Sequence, residues 1–430
     1  MTTTEVAGLS IANPKREKRR TQGRQSWYPF YASFSLRFAE ELLASTPLPR
    51  NAVVADPWNG TGTSTLAAAT LGLPARGFDL NPVMVIAARA KLLAPDDLAT
   101  VDKIVHLLRT KSTPAAPESA TDALSVWFSR ESVAQIRAVE KSFMDAHGVN
   151  RQNGNGSFPS HLPKTISFFY VALFRVVRHF LAPFLSSNPT WIRKPRLAGE
   201  RIRLSRGRST ETFVSICLKM LDDAGKAHYD SRFKRSRVDL ASAESLPLQS
   251  ESVDFVLTSP PYCTRLDYAV ATMPELAVLG CGGNLFTQLR RALTGTLTVN
   301  KLIPSISPKW GGTCEAFLKN LRNHPSKASG TYYLKTHLQY FESVERSLAE
   351  IYRVLRSRTR CVIVVQDSYY KDVRNDLPRI FTDMAEIKGF KLARREDFEL
   401  SRSMARINPR ARKYRQSPTG VESVLCFSKA

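Results

Sequence analysis

The sequence predicts an α/β fold: a doubly wound, Rossmann-like parallel sheet carrying a large, mainly helical and basic insertion. Three observations predict it. Early in the chain the order is short buried strand, glycine loop, helix, second strand ending in an acid, second helix, which is the first half of such a sheet. Strands alternating with helices resume at Ser252 and continue to Phe427. Between these halves, from about Pro95 to Arg237, the pattern loosens into helical stretches separated by polar, proline- and glycine-rich segments.

Residues 1 to 25 carry Lys15, Arg16, Lys18, Arg19, Arg20 and Arg24, opposed in that run only by Glu17. They read as a flexible basic arm, either a solvated tail or a segment that grips phosphates. A helix follows, because Phe30, Phe34, Phe38, Leu42 and Leu43 recur at helical spacing before Pro47 and Pro49 end it. Ala52 to Ala55 is a short buried strand that runs into Asp56-Pro57-Trp58-Asn59-Gly60-Thr61-Gly62-Thr63 and a helix closed by Gly72. Ala75 to Phe78 is a second strand, ending in Asp79-Leu80-Asn81-Pro82, and a helix follows again. Residues 26–95 are thus one half of the domain, 96–235 the insertion and 236–430 the other half.

Within the insertion, Val133 to Ala146 and Lys164 to Leu185 read as helices, and Phe168, Phe169, Leu173, Phe174 and Val177 as core. A basic segment follows, with Arg193, Lys194, Arg196, Arg201, Arg203, Arg206 and Arg208 against the single acid Glu200. It is either a solvated surface loop or a track along a phosphate backbone. The sheet resumes with Ser252 to Leu257, a strand that delivers Thr258-Ser259-Pro260-Pro261-Tyr262. A helix over Leu338 to Leu355 precedes the strand Cys361 to Val365, a helix spans Leu377 to Lys388, and Val421 to Phe427 closes the sheet.

Composition narrows the function. With 62 Lys+Arg against 38 Asp+Glu the formal net charge is +24, which makes a polyanion the default partner. A hydrophobic fraction of 43% excludes a wholly disordered chain. The most apolar stretch, Ile166 to Leu185, carries Arg175, Arg178 and His179, so a buried amphipathic helix explains it better than a membrane span. No secretory leader is visible at the start. Six scattered cysteines with no Cys-x-x-Cys pair suggest neither zinc site nor disulfide framework, and fit a reducing cytoplasm; no metal is expected.

Two constellations carry chemistry. Gly60 and Gly62 let the backbone turn tightly and approach a ligand, and Asp79, at the tip of the next strand, can accept both hydrogen bonds of a ribose diol. A dinucleotide loop would want a small residue where Thr65 stands, and an acid at Asp56 suits a cationic, phosphate-free ligand such as S-adenosylmethionine. The Gly-Lys-Ser/Thr ending of a phosphate-binding P-loop is absent. The second constellation is Thr258 to Tyr262 at a strand's carboxyl end. Its paired prolines hold the chain extended, so the Pro260 carbonyl projects as an acceptor; Ser259 adds an oxygen and Tyr262 a flat face for a base. Two acceptors on an exocyclic amine draw its lone pair out of conjugation and aim it at an electrophile.

These residues resemble those of the S-adenosylmethionine-dependent amino-methyltransferases of DNA, which act on cytosine N4 or adenine N6. Asp56 to Thr63 is similar to the family's DPFxGxGT loop, Gly77 to Pro82 to its GxDxxP strand end, and Thr258 to Tyr262 matches its TSPPY form letter for letter. Phe34 and Ser35 resemble the FS segment at the methionine end of the cofactor. Arg265, Asp267, Tyr268, Pro274-Glu275-Leu276 and Leu279-Gly280 are similar to a SPPYxxRxDY…EL…LG subgroup, and Asp239 stands where the family contacts the adenine ring. The resemblance covers about 25–95 and 235–430.

The resemblance implies a class I methyltransferase sheet and S-adenosylmethionine held by Phe34, Ser35, Asp56, Pro57, Gly60, Gly62, Thr63, Asp79, Asn81 and Asp239. It implies catalysis by Ser259, Pro260, Pro261 and Tyr262 on a base flipped from double-stranded DNA, with cytosine N4 favoured over adenine N6. The insertion, 96–235, would be the target-recognition and DNA-binding region, and Arg193, Lys194, Arg196, Arg201, Arg203 and Arg265 would contact the DNA. Cytosine C5 chemistry would need a thiolate, normally in a Pro-Cys pair, and none of the cysteines follows a proline. A role in restriction-modification or phage defence, with a separate endonuclease or defence subunits, is the expected setting. Two rivals remain: an RNA methyltransferase of the tRNA guanosine-N2 kind, and a methyltransferase-like protein that binds nucleic acid without turnover.

Overall fold

Short buried segments supply the sheet's parallel strands: β1 (Val54–Asp56), β2 (Ala75–Asp79), β3 (Arg237–Leu240), β4 (Val253–Thr258) and β5 (Leu355–Gln366). A small antiparallel hairpin, β6 (Ser368–Tyr370) with β7 (Val373–Asn375), follows outside it. β8 (Phe390–Leu400) and β9 (Gly420–Lys429) complete a seven-stranded sheet of order β3-β2-β1-β4-β5-β9-β8, with β9 antiparallel to both neighbours. The computed structural model describes residues 9–15, 23–30, 33–110, 121–149, 162–186, 192–225, 231–263, 266–400 and 420–430.

Strand residues alternate between faces, and the two faces bury different helices. Val54, Phe255, Leu257, Val362 and Val364 pack with Phe38 and Leu42 of α1 (Leu36–Ser45) and Ala67 and Ala68 of α2 (Thr63–Thr70). Ala55, Val256, Cys361, Ile363 and Val365 instead meet Phe317, Phe341 and Phe381 on three C-terminal helices. The chain winds outward through β2 and β3 on one side of β1, and through β4 and β5 on the other. The crevice where ligands bind in such sheets therefore opens beyond the carboxyl ends of β1 and β4.

The insertion forms a helical layer rather than a separate body. Helices α4 (Pro95–Thr110), α5 (Arg130–Ala146), α6 (Lys164–Phe180) and α7 (Arg208–Gly225) share one core with α3 (Pro82–Lys91) and with Leu276 and Val278, which lie between β4 and β5 in the chain. Phe168, Phe169, Leu173, Phe174 and Val177 are buried there as expected. Among the described residues no helix is long and apolar enough to cross a membrane.

Two expectations are corrected. The described parts of the basic arm are built into the fold: the Leu9 carbonyl accepts from Arg394 (2.9 Å) and that of Pro14 from the Ser35 amide (2.8 Å). Arg24 is buried, and its Nη1 donates to the Lys91 and Leu93 carbonyls at 2.7 and 2.5 Å. A helix leaves its last carbonyls without partners, and this guanidinium supplies donors to the end of α3. Arg16, Lys18, Arg19 and Arg20 lie outside the described residues. The strand β3 was not expected; it is four residues long and abuts the basic stretch ahead of it, so no periodicity marks it.

Candidate active site

Parallel pairing of β1 with β4, Val54 opposite Phe255 and Ala55 opposite Val256, brings the glycine loop and the Ser-Pro-Pro-Tyr segment to the same edge. One side chain joins them directly. Thr258 Oγ1 donates to Asp56 Oδ1 at 2.5 Å, while Ser64 Oγ donates to Oδ2 at 2.5 Å and the Trp58 amide to Oδ1 at 3.1 Å. Burial pushes the Asp56 carboxyl up to about 7, against these hydrogen bonds. Asp56 thus binds β1, α2 and β4 together, with most of its acceptor capacity used inside the chain. Pro57, next to it, is buried.

The loop itself is held open by glycine. Gly62 has φ 84°, and a Cβ there would lie 2.7 Å from Ala88 Cβ on α3, so only glycine lets the loop settle on that helix. Lys91, nearly fully buried, donates to the Thr61 carbonyl at 2.8 Å from the far end of α3. Asp79 faces the loop from the tip of β2. Its Oδ2 accepts from the Gly60 amide at 3.0 Å and its Oδ1 from the Asn81 amide at 2.8 Å, so each oxygen keeps acceptor capacity for a further donor. Burial raises this carboxyl to about 6.

Trp58 Nε1, Asn59 Nδ2 and Thr63 Oγ1 are buried in this loop without a hydrogen-bond partner. Each such orphan costs about 1–3 kcal/mol. Three within six residues of a glycine loop mark a place where a polar ligand completes the structure. Backbone open to close approach, a diol acceptor and unpaired donors suit a nucleoside carrying an amino-acid arm. The residues present fit S-adenosylmethionine. Among the described residues no group of three or more His, Cys, Asp or Glu side chains could hold a metal ion.

In the Ser-Pro-Pro-Tyr segment, Ser259 Oγ donates to Tyr262 Oη at 3.3 Å, and Tyr262 Oη donates to Glu422 Oε1 at 3.2 Å. Tyr340 Oη donates to the Pro261 carbonyl at 3.0 Å. The Pro260 carbonyl accepts no hydrogen bond among the described residues. Burial and the nearby Glu422 hold the Tyr262 phenol protonated, well above its ordinary range. Sequence reasoning missed Glu422, Tyr340 and Lys91, none of which carries a local motif.

Other expected residues are placed differently. Ser35 caps α1, accepting from the Phe38 amide at 3.1 Å, and Phe34 packs edge-on to Phe38 in the core. Asn81 spends its side chain on the Val83 amide (3.1 Å) and on Thr272 Oγ1 (2.9 Å). Asp239, expected at the adenine ring, pairs through one oxygen with Arg89 of α3 at 3.0 Å and stays half exposed; its register opposite Phe78 brings it beside that helix. Asp267 caps the short helix α8 (Tyr268–Ala271) and pairs with Arg290 at 2.6 Å. Arg265 lies outside the described residues. Lys194, Arg196, Arg201 and Arg203 are exposed, whereas Arg193 is exposed but packs over Phe184 and donates to the Pro183 carbonyl at 3.3 Å.

No protein-family model matches the chain. It is similar to the Type II methyltransferase M.BsoBI of Geobacillus stearothermophilus, 22% identical over 301 residues that take in 66% of this chain and 58% of that one. It is also similar to the Type II methyltransferase M.AvaI of Nostoc sp., 26% identical over 178 residues, 37% of this chain and 36% of the relative. The chain therefore matches little more than half the length of these curated relatives at best. Among solved structures, a SAM-dependent methyltransferase from Methanosarcina mazei aligns at TM-score 0.29 and 8% identity, over 89% of this chain and 94% of that one. A geranyl diphosphate methyltransferase with sinefungin aligns at TM-score 0.34 and 8% identity, over 100% and 93%. The strand order and the parallel core place the chain in the Rossmann-like class I methyltransferase fold.

Proposed function

We propose that this protein is an S-adenosylmethionine-dependent DNA methyltransferase acting on the exocyclic amine of a flipped base, with cytosine N4 favoured over adenine N6. The observation that carries the reading is the Thr258–Asp56 hydrogen bond, which fixes the cofactor loop and the Ser-Pro-Pro-Tyr segment side by side at the sheet's switch point. The similarity to Type II methyltransferases supports DNA as the substrate; a place in restriction-modification beside a separate endonuclease is part of the proposal.

Asp79 would bind the ribose hydroxyls, and Thr63, Asn59 and the amides of the glycine loop the amino-acid arm. S-adenosylmethionine supplies a methyl group on a positively charged sulfur, an electrophile that needs no covalent enzyme intermediate. Ser259 Oγ and the Pro260 carbonyl accept hydrogen bonds from the target amine and turn its lone pair away from the ring. Tyr262 stacks on the base and, with Tyr340 holding the Pro261 carbonyl, keeps the segment rigid. Transfer of labelled methyl to plasmid DNA but not to total tRNA tests the reading, and nucleoside mass spectrometry separates N4-methylcytosine from N6-methyladenine. Label in tRNA alone would overturn it.

Two further outcomes are expected. Asp79 must be ionised to accept from two hydroxyls, and its carboxyl titrates at about 6. Cofactor affinity should therefore fall as pH drops through about 7 and 6, where Asp56 and then Asp79 take up protons, while Asp79→Asn binds weakly and keeps only the Asp56 part of that dependence; calorimetry at several pH values checks this. Changing Lys194, Arg196, Arg201 and Arg203 together to Gln should weaken DNA binding and flatten its salt dependence, by about 0.9 in log–log slope for each phosphate contact removed. Cofactor affinity should not move.

A further inference from the structure

We propose that Ser259, Tyr262 and Glu422 form a proton-conducting chain that carries the proton shed by the methylated amine out of the catalytic segment to the closing strand β9. The proposal rests on the methyltransferase reading above and adds a destination for the proton.

A neutral amine that gains a methyl group must lose one proton. The new N–C bond uses the nitrogen lone pair, the electron pair of the broken S–C bond stays on sulfur, and an N–H bond then returns its pair to nitrogen. The leaving proton needs a base. Ser259 is neutral, and its hydroxyl cannot keep the proton. The polarity of its hydrogen bond solves the problem: Ser259 Oγ donates to Tyr262 Oη, and Tyr262 Oη donates to Glu422 Oε1, at 3.3 and 3.2 Å. All donors point the same way and end on a carboxylate. When the amine N–H bonds to Ser259 Oγ, the proton passes to that oxygen as the serine proton moves to tyrosine and the tyrosine proton to Glu422, leaving both hydroxyls neutral. Both contacts exceed the usual 2.7–2.8 Å of O–H···O bonds; catalytic hydrogen bonds commonly shorten when substrate docks.

Glu422 is suited to the end of this chain. It lies between Gln366 of β5 and Phe398 of β8, neither of which is charged. The groups that act on it are the Tyr262 hydroxyl and, through space, the Lys15 ammonium of the N-terminal segment. Burial outweighs both and raises its carboxyl above the ordinary glutamate value near 4.5, which makes it a better base than an exposed glutamate. The placement is tertiary: β9 reaches the catalytic segment only because it pairs with β5, which pairs with β4.

Glu422→Gln keeps the acceptor for Tyr262 but cannot take a proton. At saturating cofactor and DNA it should lower kcat by ten- to a hundredfold, remove the acid limb of kcat against pH, and leave cofactor affinity and melting temperature unchanged. Glu422→Asp should recover part of the rate. Tyr262→Phe should lose at least as much, and the double variant should fall no further than Tyr262→Phe alone, since both break one path. A readout independent of turnover is infrared titration of the chain alone: a protonated-carboxyl band present in wild type and missing in Glu422→Gln, with its midpoint above 4.5. Wild-type kcat and an unchanged acid limb in Glu422→Gln, beside an active wild type, would overturn the chain while leaving the methyltransferase reading intact. A wild type that transfers no methyl group removes both.

Discussion

Ser259→Ala should lower methyl transfer by a hundredfold or more while leaving cofactor binding and folding intact, an effect on the order of that seen when one preorganised hydrogen-bonding group is taken from a catalytic site. The reasoning is local. The hydroxyl's hydrogen bond within the protein is to Tyr262 Oη, itself held by Glu422, so alanine removes one partner from a phenol that keeps another. Among the described residues no hydrogen bond runs from Ser259 to the glycine loop, which Thr258 links to this strand. The Pro260 carbonyl stays, which sets a floor to the loss because one acceptor on the amine survives. Single-turnover methylation with saturating cofactor reads the chemical step, and cofactor titration of the same variant reads the binding site. A variant as fast as wild type would remove Ser259 from the reaction; one that also lost cofactor binding would show a damaged loop instead.

How much of this site was legible in the sequence follows from how far each interaction reaches. Gly60, Gly62 and Asp79 were legible because a tight turn and a strand-end acid are local requirements, written within a few tens of residues. The Ser-Pro-Pro-Tyr segment was legible for the same reason. The contact that makes one site of them, Thr258 on Asp56, was not: it joins residues 202 positions apart and depends on β1 choosing β4 as neighbour. Glu422 and Arg24 follow the same logic. Arg24 sat in a run of cations that composition assigns to solvent, yet the Lys91 carbonyl at the end of α3 and the Leu93 carbonyl just beyond it hold it in the interior. Ser35 and Asn81 stood at motif positions, but each precedes a helix whose first amides need an acceptor, and the cap claims the side chain. The pairing of Asp239 with Arg89 was not legible, because a strand of four residues announces no register.

The insertion shows the same tension on a larger scale, and it yields the second large effect. Read as a target-recognition segment, it would tolerate change without harm to the fold. Its helices instead grip the stretch that follows the catalytic segment. Arg178 of α6 forms a bidentate pair with Glu275, at 2.5 and 2.9 Å, and donates to the Ala271 carbonyl at 2.5 Å. Arg137 of α5 donates to the carbonyls of Ala277 and Val278 at 3.0 and 2.5 Å while paired with Asp122 and Glu140. Glu275 is wholly buried and Arg178 mostly so, so removing the carboxylate strands a guanidinium inside the protein. Glu275→Leu should cost about 3 kcal/mol, toward the low end for a broken buried pair because the arginine keeps some access to water. It should also lower kcat, since Arg178 without Glu275 is no longer held in place to fix the Ala271 carbonyl. Adding Arg178→Met should restore stability, as an apolar pair of similar volume removes the stranded charge, yet it should leave kcat low because the Ala271 carbonyl still lacks its partner. Thermal melting and single-turnover rates on the two variants test this. Stability and rate recovering together would mean that Arg178 supports the fold alone and has no hold on the geometry of the active site.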